Sequence, residues 1–342
     1  MKKFLFASAL LLPILCGSAP LPAKPDFNVL MVGFDGTRLA RITQLLQEGK
    51  MPVLNELVKN GSFVNINIKF TRTDTKAGWS EILTGYDATI NKVFSNKNYA
   101  PVPEGFTIFE RLKARYGKEF ATVLLTGKIN NLGVRGPHKI CTNCISRMEG
   151  TQAKSEWWKD ETQAPTIKNQ PRKMESRQGE PYFNARKKID FYKNTLYAGK
   201  NVVAEAKKVF PKVKGRSFFA FIHFEEPDEQ GHLKGESSKE YTEGLMEADR
   251  NLGELLKFLE AQGMAKNLKV FVMGDHGFDI IGSGRKNDLE HGTDAARLTF
   301  FASNIPGFRK DGDRRDFAPT IYKLYGMDLS SIQPKLQGTP YP

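Results

Sequence analysis

Residues 269–276 read KVFVMGDH. Val270, Phe271, Val272 and Met273 form an unbroken apolar run, as expected of a strand buried on both faces. Gly274 ends the run, and Asp275 and His276 follow at once. A carboxylate beside an imidazole suits a divalent cation of the zinc class. In open α/β sheets, sites gather where strands end at their carboxyl edge. A polar turn after a core strand is the plain alternative, and for this stretch alone the two readings weigh equally.

The rest of the chain supplies the sheet that such a strand needs. Residues 27–34, FNVLMVGF, read as a first strand that Asp35 and Gly36 end. Residues 38–48 and 51–60 carry helical spacing, with Leu39, Ile42, Leu45 and Leu46 on one stripe. A second strand is expected over 63–68, a helix over 76–83 stopped near Gly85, a helix over 106–116 and a strand over 120–125. Further on, 194–210 reads as a helix, 217–223 as a strand and 239–262 as a long amphipathic helix. A last strand over 297–302 and a last helix over 316–325 follow. This alternation predicts an α/β fold, a doubly wound, mostly parallel sheet with helices on both faces. The pattern lapses over 129–193, rich in charged residues, Asn, Gln and Pro; this is expected to be an inserted cap. Trp157 and Trp158 within it read as anchors rather than as a stacking platform.

Residues 1–23 have Lys2 and Lys3, a short apolar run to Cys16 and then small residues and prolines, the layout of a secretory signal peptide. The apolar run is short for a membrane span. Pro13, Ile14 and Leu15 lack the small residue expected before a lipid-bearing Cys16, which argues against an anchor. The expected mature domain is 24–342, secreted or periplasmic and without a membrane span. Of three cysteines, Cys141 and Cys144 remain, a pair better suited to a small loop disulfide than to a four-ligand zinc site. The formal net charge of +13 reads as a solvated basic surface, since no long Lys/Arg block points to a nucleic-acid partner.

Asp35 ends the first strand. Asp228 and His232 are expected in the loop after 217–223, and His291 in the loop before the last strand. With Asp275 and His276, four segments deliver three carboxylates and three imidazoles to one sheet edge. The chain has five histidines, and three fall in this set. Each residue alone has a bland reading, such as a helix cap for Asp35. Their convergence favours a functional centre.

The stretches VLMVGFDGTR, TDTKAGWSEILTG, EEPDEQGHLKG, GDHG and EHG, in that order, resemble the alkaline phosphatase superfamily and its phosphodiesterase/nucleotide pyrophosphatase branch. The resemblance implies a doubly wound core with two divalent metal ions at the carboxyl ends of the strands. It implies that Asp35, Thr75, Asp275 and His276 hold one metal, and that Asp228, His232 and His291 hold the other. It makes Thr75 the nucleophile. Thr75 also precedes a helix start, where free N–H groups favour an anion, although a Thr there equally suits an ordinary cap. Mixed Asp/His ligands suit zinc first and manganese second.

The implied chemistry is consistent from below. Threonine is a poor nucleophile at neutral pH, and metal coordination lowers its pKa. Two metals about 4 Å apart can stabilise the attacking and leaving oxygens of an in-line displacement. The expected course is a covalent phosphothreonine, then its hydrolysis. The diesterase branch that the chain resembles usually has an asparagine three residues after the nucleophile; Gly78 stands there, and Lys76, directly after the nucleophile, is the alternative source of positive charge. Both are candidate substrate contacts. Thr75 is not convertible to the formylglycine of sulfatases, and the threonine-using lipid A phosphoethanolamine transferases carry membrane spans. The leading expectation is a phosphodiesterase. The alternatives are a phosphomonoesterase or phospho-group transferase on the same site, and a metal- or nucleic-acid-binding protein on a decayed scaffold.

Overall fold

The computed structural model describes residues 22–69, 72–141, 170–280 and 291–342. In chain order the elements are β1 (Asn28–Phe34), α1 (Leu39–Gln47), α2 (Pro52–Lys59), β2 (Ser62–Asn67), α3 (Thr75–Thr84), α4 (Ala88–Asn91) and α5 (Ile108–Tyr116). Then come β3 (Ala121–Thr126), β4 (His138–Cys141), β5 (Met174–Arg177), β6 (Phe191–Lys193), α6 (Gly199–Val213) and β7 (Phe218–Phe224). The chain continues through α7 (Glu226–Lys234), α8 (Lys239–Ala261), β8 (Leu268–Met273), β9 (Leu298–Ser303), β10 (Asp311–Gly312) and α9 (Phe317–Leu324).

Eight strands make one sheet in the order β10-β2-β9-β8-β1-β7-β3-β6. β1 is central and parallel to both β7 and β8. Among the described strands of this sheet only β9 is reversed, antiparallel to β8 and β2. Its reversal matters for function. The segment entering β9 lies at the same edge where β1, β7 and β8 finish.

The doubly wound layering follows from the alternation of β1, whose side chains point to opposite faces in turn. Leu30, Val32 and Phe34 pack with Ile42, Leu54, Val202 and Leu245, from α1, α2, α6 and α8. Val29 and Met31 pack on the other face with Trp79, Ile82, Phe109 and Ile321, from α3, α5 and α9. Full burial of each such side chain contributes about 1.5–3 kcal/mol. Helix ends are set locally. Ser238 caps α8 by accepting from Tyr241 N, and Thr107 and Glu110 form a capping box on α5.

Three expectations change. Asp228 and His232 lie on a helix, α7, not in a loop; Pro227 at its start and Glu226, Asp228 and Glu229 in its first turn favour helix formation there. The helix expected from 194 begins at Gly199, because Thr195 and Tyr197 adopt left-handed φ of 60° and 54°. Their N–H groups donate instead to Lys128 O and Gly127 O, in the loop after β3. Within 129–193, β4 and β5 pair as a separate two-stranded ribbon, while β6 joins the main sheet beside β3. Trp157, Trp158, Cys144 and the leader through residue 21 lie outside the described residues. Cys141 is disulfide-bonded. Among the described residues no helix is long and apolar enough to cross a membrane.

Candidate active site

The carboxyl edge of the sheet gathers the acidic and imidazole side chains. Asp35 follows β1, and Asp275 and His276 follow β8; all three are fully buried. Gly36, at φ +64°, turns the chain sharply after Asp35, and its N–H donates to Asp275 Oδ1 at 3.1 Å. α7 presents Asp228 and His232 on one face, as their i, i+4 spacing requires, with His232 Nε2 3.4 Å from Asp228 Oδ1. The reversed β9 brings in His291, whose ring centroid lies 4.1 Å from that of His276 and 5.1 Å from that of His232.

His276 is the hub. Its Nε2 lies 3.5 Å from Asp275 Oδ2, 3.6 Å from Asp35 Oδ1, 3.8 Å from Asp228 Oδ1 and 3.3 Å from Thr75 Oγ1. Its Nδ1 is 2.9 Å from Gly277 O, which fixes the hydrogen on Nδ1 and leaves a lone pair on Nε2. Burial first, then His291, holds its pKa at about 3, so the ring is neutral, as a ligand must be. Two overlapping groups have ligand atoms within metal-binding reach: Asp35, Asp275 and His276, and Asp228, His276 and His291.

The residues fit a bound cation on a second ground. Among the described residues, Asp35 Oδ1, Asp228 Oδ1 and Asp275 Oδ2 are buried carboxylate oxygens without a hydrogen-bond partner. Buried polar atoms are nearly always satisfied, and three orphans around one imidazole nitrogen mark a place for positive charge. Burial and the neighbouring Asp35 and Asp228 push the Asp275 carboxyl well above the usual range.

Thr75 opens α3 with 2% of its surface exposed. Gly78, a turn later, has no room for a side chain: a Cβ there would stand 2.8 Å from Arg314 Nη1 and 3.0 Å from Asp275 Cβ. An asparagine at 78 is therefore excluded by packing. The carboxamide beside the helix start is that of Asn96. Its Oδ1 accepts from Lys76 N at 2.9 Å, and the backbone N–H of Asn96 donates to Asp74 Oδ1 at 2.9 Å.

Four more residues build the site and were not singled out from sequence. Lys128 pairs with Asp228 Oδ2 and lies 4.0 Å from Asp35 Oδ1. Burial works against its charge, but Asp228 and Asp35 outweigh that and push its pKa up. Burial would raise Asp35 and Asp228, yet Lys128 foremost holds both below the usual range. His223 Nε2 is 2.7 Å from Asp35 Oδ2 and orients that carboxylate, with Thr126 Oγ1 3.1 Å from its Nδ1. Arg314, fully buried, donates to Glu81 Oε2 at 2.9 Å and to Asp275 O at 2.8 Å, tying α3 to the end of β8. Asn96 is the fourth. The strand position of His223 is a signal available in sequence; Lys128, Arg314 and Asn96 stand in segments with no periodic cue.

Comparison with known proteins gives a consistent family. The model described as type I phosphodiesterase / nucleotide pyrophosphatase matches residues 29–299. Venom phosphodiesterase CdcPDE of Crotalus durissus collilineatus is 30% identical over 107 residues, which is 31% of this chain and 13% of that protein. Bis(5'-adenosyl)-triphosphatase ENPP4 of Bos taurus is 33% identical over 82 residues, 24% of this chain and 18% of that protein. The matched stretches thus span less than a fifth of these relatives' length. Murine ectonucleotide pyrophosphatase / phosphodiesterase 5 superposes with a TM-score of 0.55 at 15% identity, covering 88% of this chain and 95% of that one. A putative sulfatase of Bacteroides thetaiotaomicron VPI-5482 superposes with a TM-score of 0.62 at 12% identity, covering 92% and 74%. At such identities these two show a shared fold, that of the alkaline phosphatase superfamily.

Proposed function

The chain belongs to the type I phosphodiesterase / nucleotide pyrophosphatase family, and we propose that it is a metal-dependent phosphoric ester hydrolase, most like a phosphodiesterase, with Thr75 as nucleophile. One observation carries the reading: the Thr75 hydroxyl lies 3.3 Å from the lone pair of a buried neutral imidazole, which itself faces three orphaned carboxylate oxygens. Asp35, Asp275, His276 and Thr75 would hold one divalent cation, and Asp228, His232 and His291 a second; zinc suits this donor set first and manganese second. Bound there, the cations would supply the Lewis acidity that lowers the hydroxyl pKa and offsets developing charge.

The chain's own residues do the rest. Thr75 Oγ1 forms a bond to phosphorus as the ester's alcohol oxygen leaves, giving a phosphothreonine. Water then cleaves the Oγ1–P bond and restores the hydroxyl. Asn96, its carbonyl engaged by Lys76 N, offers its Nδ2 to a phosphoryl oxygen. His223 and Arg314 hold Asp35 and the Asp275 backbone in register. We place this chemistry outside the cytoplasm, on the leader-like N-terminus and on the disulfide at Cys141.

Thr75→Ala protein should keep its metal and lose turnover, and acid quench of the wild type should leave phosphate on a peptide containing Thr75, read by mass spectrometry. Wild-type rates for Thr75→Ala would end the covalent route. A phosphomonoesterase is the second reading, and Lys128 is its specific support: a third cation among the ligands suits a dianionic phosphoryl group. The ratio of activities on bis-p-nitrophenyl phosphate and p-nitrophenyl phosphate separates the two.

A further inference from the structure

Lys76 stands directly after Thr75 and has only 6% of its surface exposed. Its backbone N–H is bonded to Asn96, but among the described residues its ammonium makes no hydrogen bond and no ion pair. It lies instead over the ring of Tyr99, 4.7 Å from the centroid. The guanidinium of Arg177, on β5, lies 5.6 Å from that same centroid. Arg177 Nη2 pairs with Glu175 Oε2 at 3.1 Å, while among the described residues its Nε is buried without a hydrogen-bond partner. Two cations thus sit at one aromatic ring beside the nucleophile.

Buried charges in proteins are paired or bound to a ligand, because an unpaired one is strongly destabilising. The acid that acts most strongly on Lys76 is Glu180, and among the described residues no ion pair joins the two. Glu180 Oε2 is already committed to Arg135 N at 2.8 Å. Asp74 acts on Lys76 more weakly than Arg177 and Lys128 oppose it, and Asp74 is engaged by Arg72 and by Asn96 N. Successive side chains on a helix diverge by roughly a quarter-turn or more. Thr75 meets His276, whereas Lys76 is turned toward Tyr99 and Arg177. The ammonium is therefore beside the reacting phosphoryl group rather than among its ligands.

We propose that Lys76, with Arg177 across Tyr99, binds a second anionic group carried by an alcohol substituent that stays on the scissile phosphorus. The substrate class is then a phosphoric ester whose organic portion bears a phosphate, sulfate or carboxylate a few bonds from the scissile phosphorus. This rests on the proposed hydrolase reading of the Thr75 site and narrows it. The ribbon of β4 and β5 gains a role: it delivers a specificity cation to the centre.

The experiment compares metal-loaded protein on p-nitrophenyl propyl phosphate, its 3-sulfopropyl and 3-carboxypropyl analogues, and p-nitrophenyl phosphocholine. Charge-assisted contacts predict kcat/KM about tenfold or more higher for the anionic tails than for propyl, with choline lowest. In Lys76→Met the anionic-to-propyl ratio should fall to near one, Lys76→Arg should restore part of it, and Arg177→Met should lower it less. The two anionic tails separate sulfate-like from carboxylate preference. Calorimetry on Thr75→Ala, with propyl phosphate and 3-sulfopropyl phosphate, reads the same preference without turnover. Equal handling of neutral and anionic tails, by turnover or by calorimetry, overturns the inference while leaving the hydrolase reading intact. Absence of turnover on every ester sinks the hydrolase reading, and the calorimetry then decides this one. A Lys76→Met protein with a lower melting temperature and unchanged selectivity would make Lys76 structural, which also overturns it.

Discussion

Asp249 and Asp275 are both buried acids, and they are treated oppositely. Asp249, on α8, has both oxygens occupied: Oδ2 accepts from Val53 N at 3.1 Å and Oδ1 from Leu54 N at 2.8 Å. It caps α2, whose own N-cap, Met51, has no side chain able to do so. Asp316 is likewise satisfied, by Thr339 N, Asp313 N and Arg309. Asp275 has one oxygen bonded to Gly36 N and the other, among the described residues, without a hydrogen-bond partner, with two further carboxylates close by. The difference teaches what each is for. A carboxylate that completes its hydrogen bonds joins elements, whereas a cluster left incomplete destabilises the empty fold and is kept for what it binds.

The contrast breaks most sharply at Asp275. On the proposed reading, Asp275→Asn should lower kcat/KM by about three powers of ten or more, since an amide would replace an anionic ligand. Steady-state kinetics with metal analysis checks this, and a near-wild-type rate would place the site elsewhere. Next in size is Arg314, whose guanidinium bonds Glu81 and the Asp275 carbonyl. Arg314→Leu leaves Glu81 buried beside an apolar group and should lower stability by about 3–5 kcal/mol in denaturant titration.

A pH series on metal-free protein sharpens the comparison. The folded-state pKa of Asp275 is raised, so its carboxyl adds stability at low pH and loses it as pH rises through that elevated value. Metal-free Asp275→Asn should therefore match the wild type below about pH 4, near the ordinary carboxyl pKa, and become the more stable of the two as pH increases. Metal loading should reverse that order in the same titration. An advantage that shrinks with rising pH contradicts the assignment. The smallest effect belongs to Asp249: Asp249→Asn gives up one of two acceptors and should cost about 1–2 kcal/mol at neutral pH, with activity unchanged. Melting curves at fixed metal concentration would detect it.

The same contrast explains what the sequence disclosed. Apolar strands that end at or just before an acid make Asp35 and Asp275 readable, and with them a mostly parallel sheet with one carboxyl edge; the strand order that sets β1 beside β8 comes from the structure alone. His291 was placed at the right edge because its loop precedes the last strand, and the reversal of β9 is what makes that edge the right one. Asp228 and His232 were assigned to a loop because a nine-residue helix rich in charge has no apolar stripe to announce it. Lys128 and Arg314 were invisible for a different reason. Their roles come from tertiary partners, Asp228 for one and Glu81 with Asp275 for the other, and no local spacing encodes such pairings.

The central place of β1 has a temporal consequence. Val29 pairs with Phe219 on one side and with Lys269 on the other, so this early strand waits for both neighbours until most of the chain exists. Such distant pairing slows folding and leaves an apolar edge open in the meantime. Any chain stopped before β8 therefore ends with its central, apolar strand paired on one side only, and truncation products of this protein should aggregate rather than persist as smaller folded units.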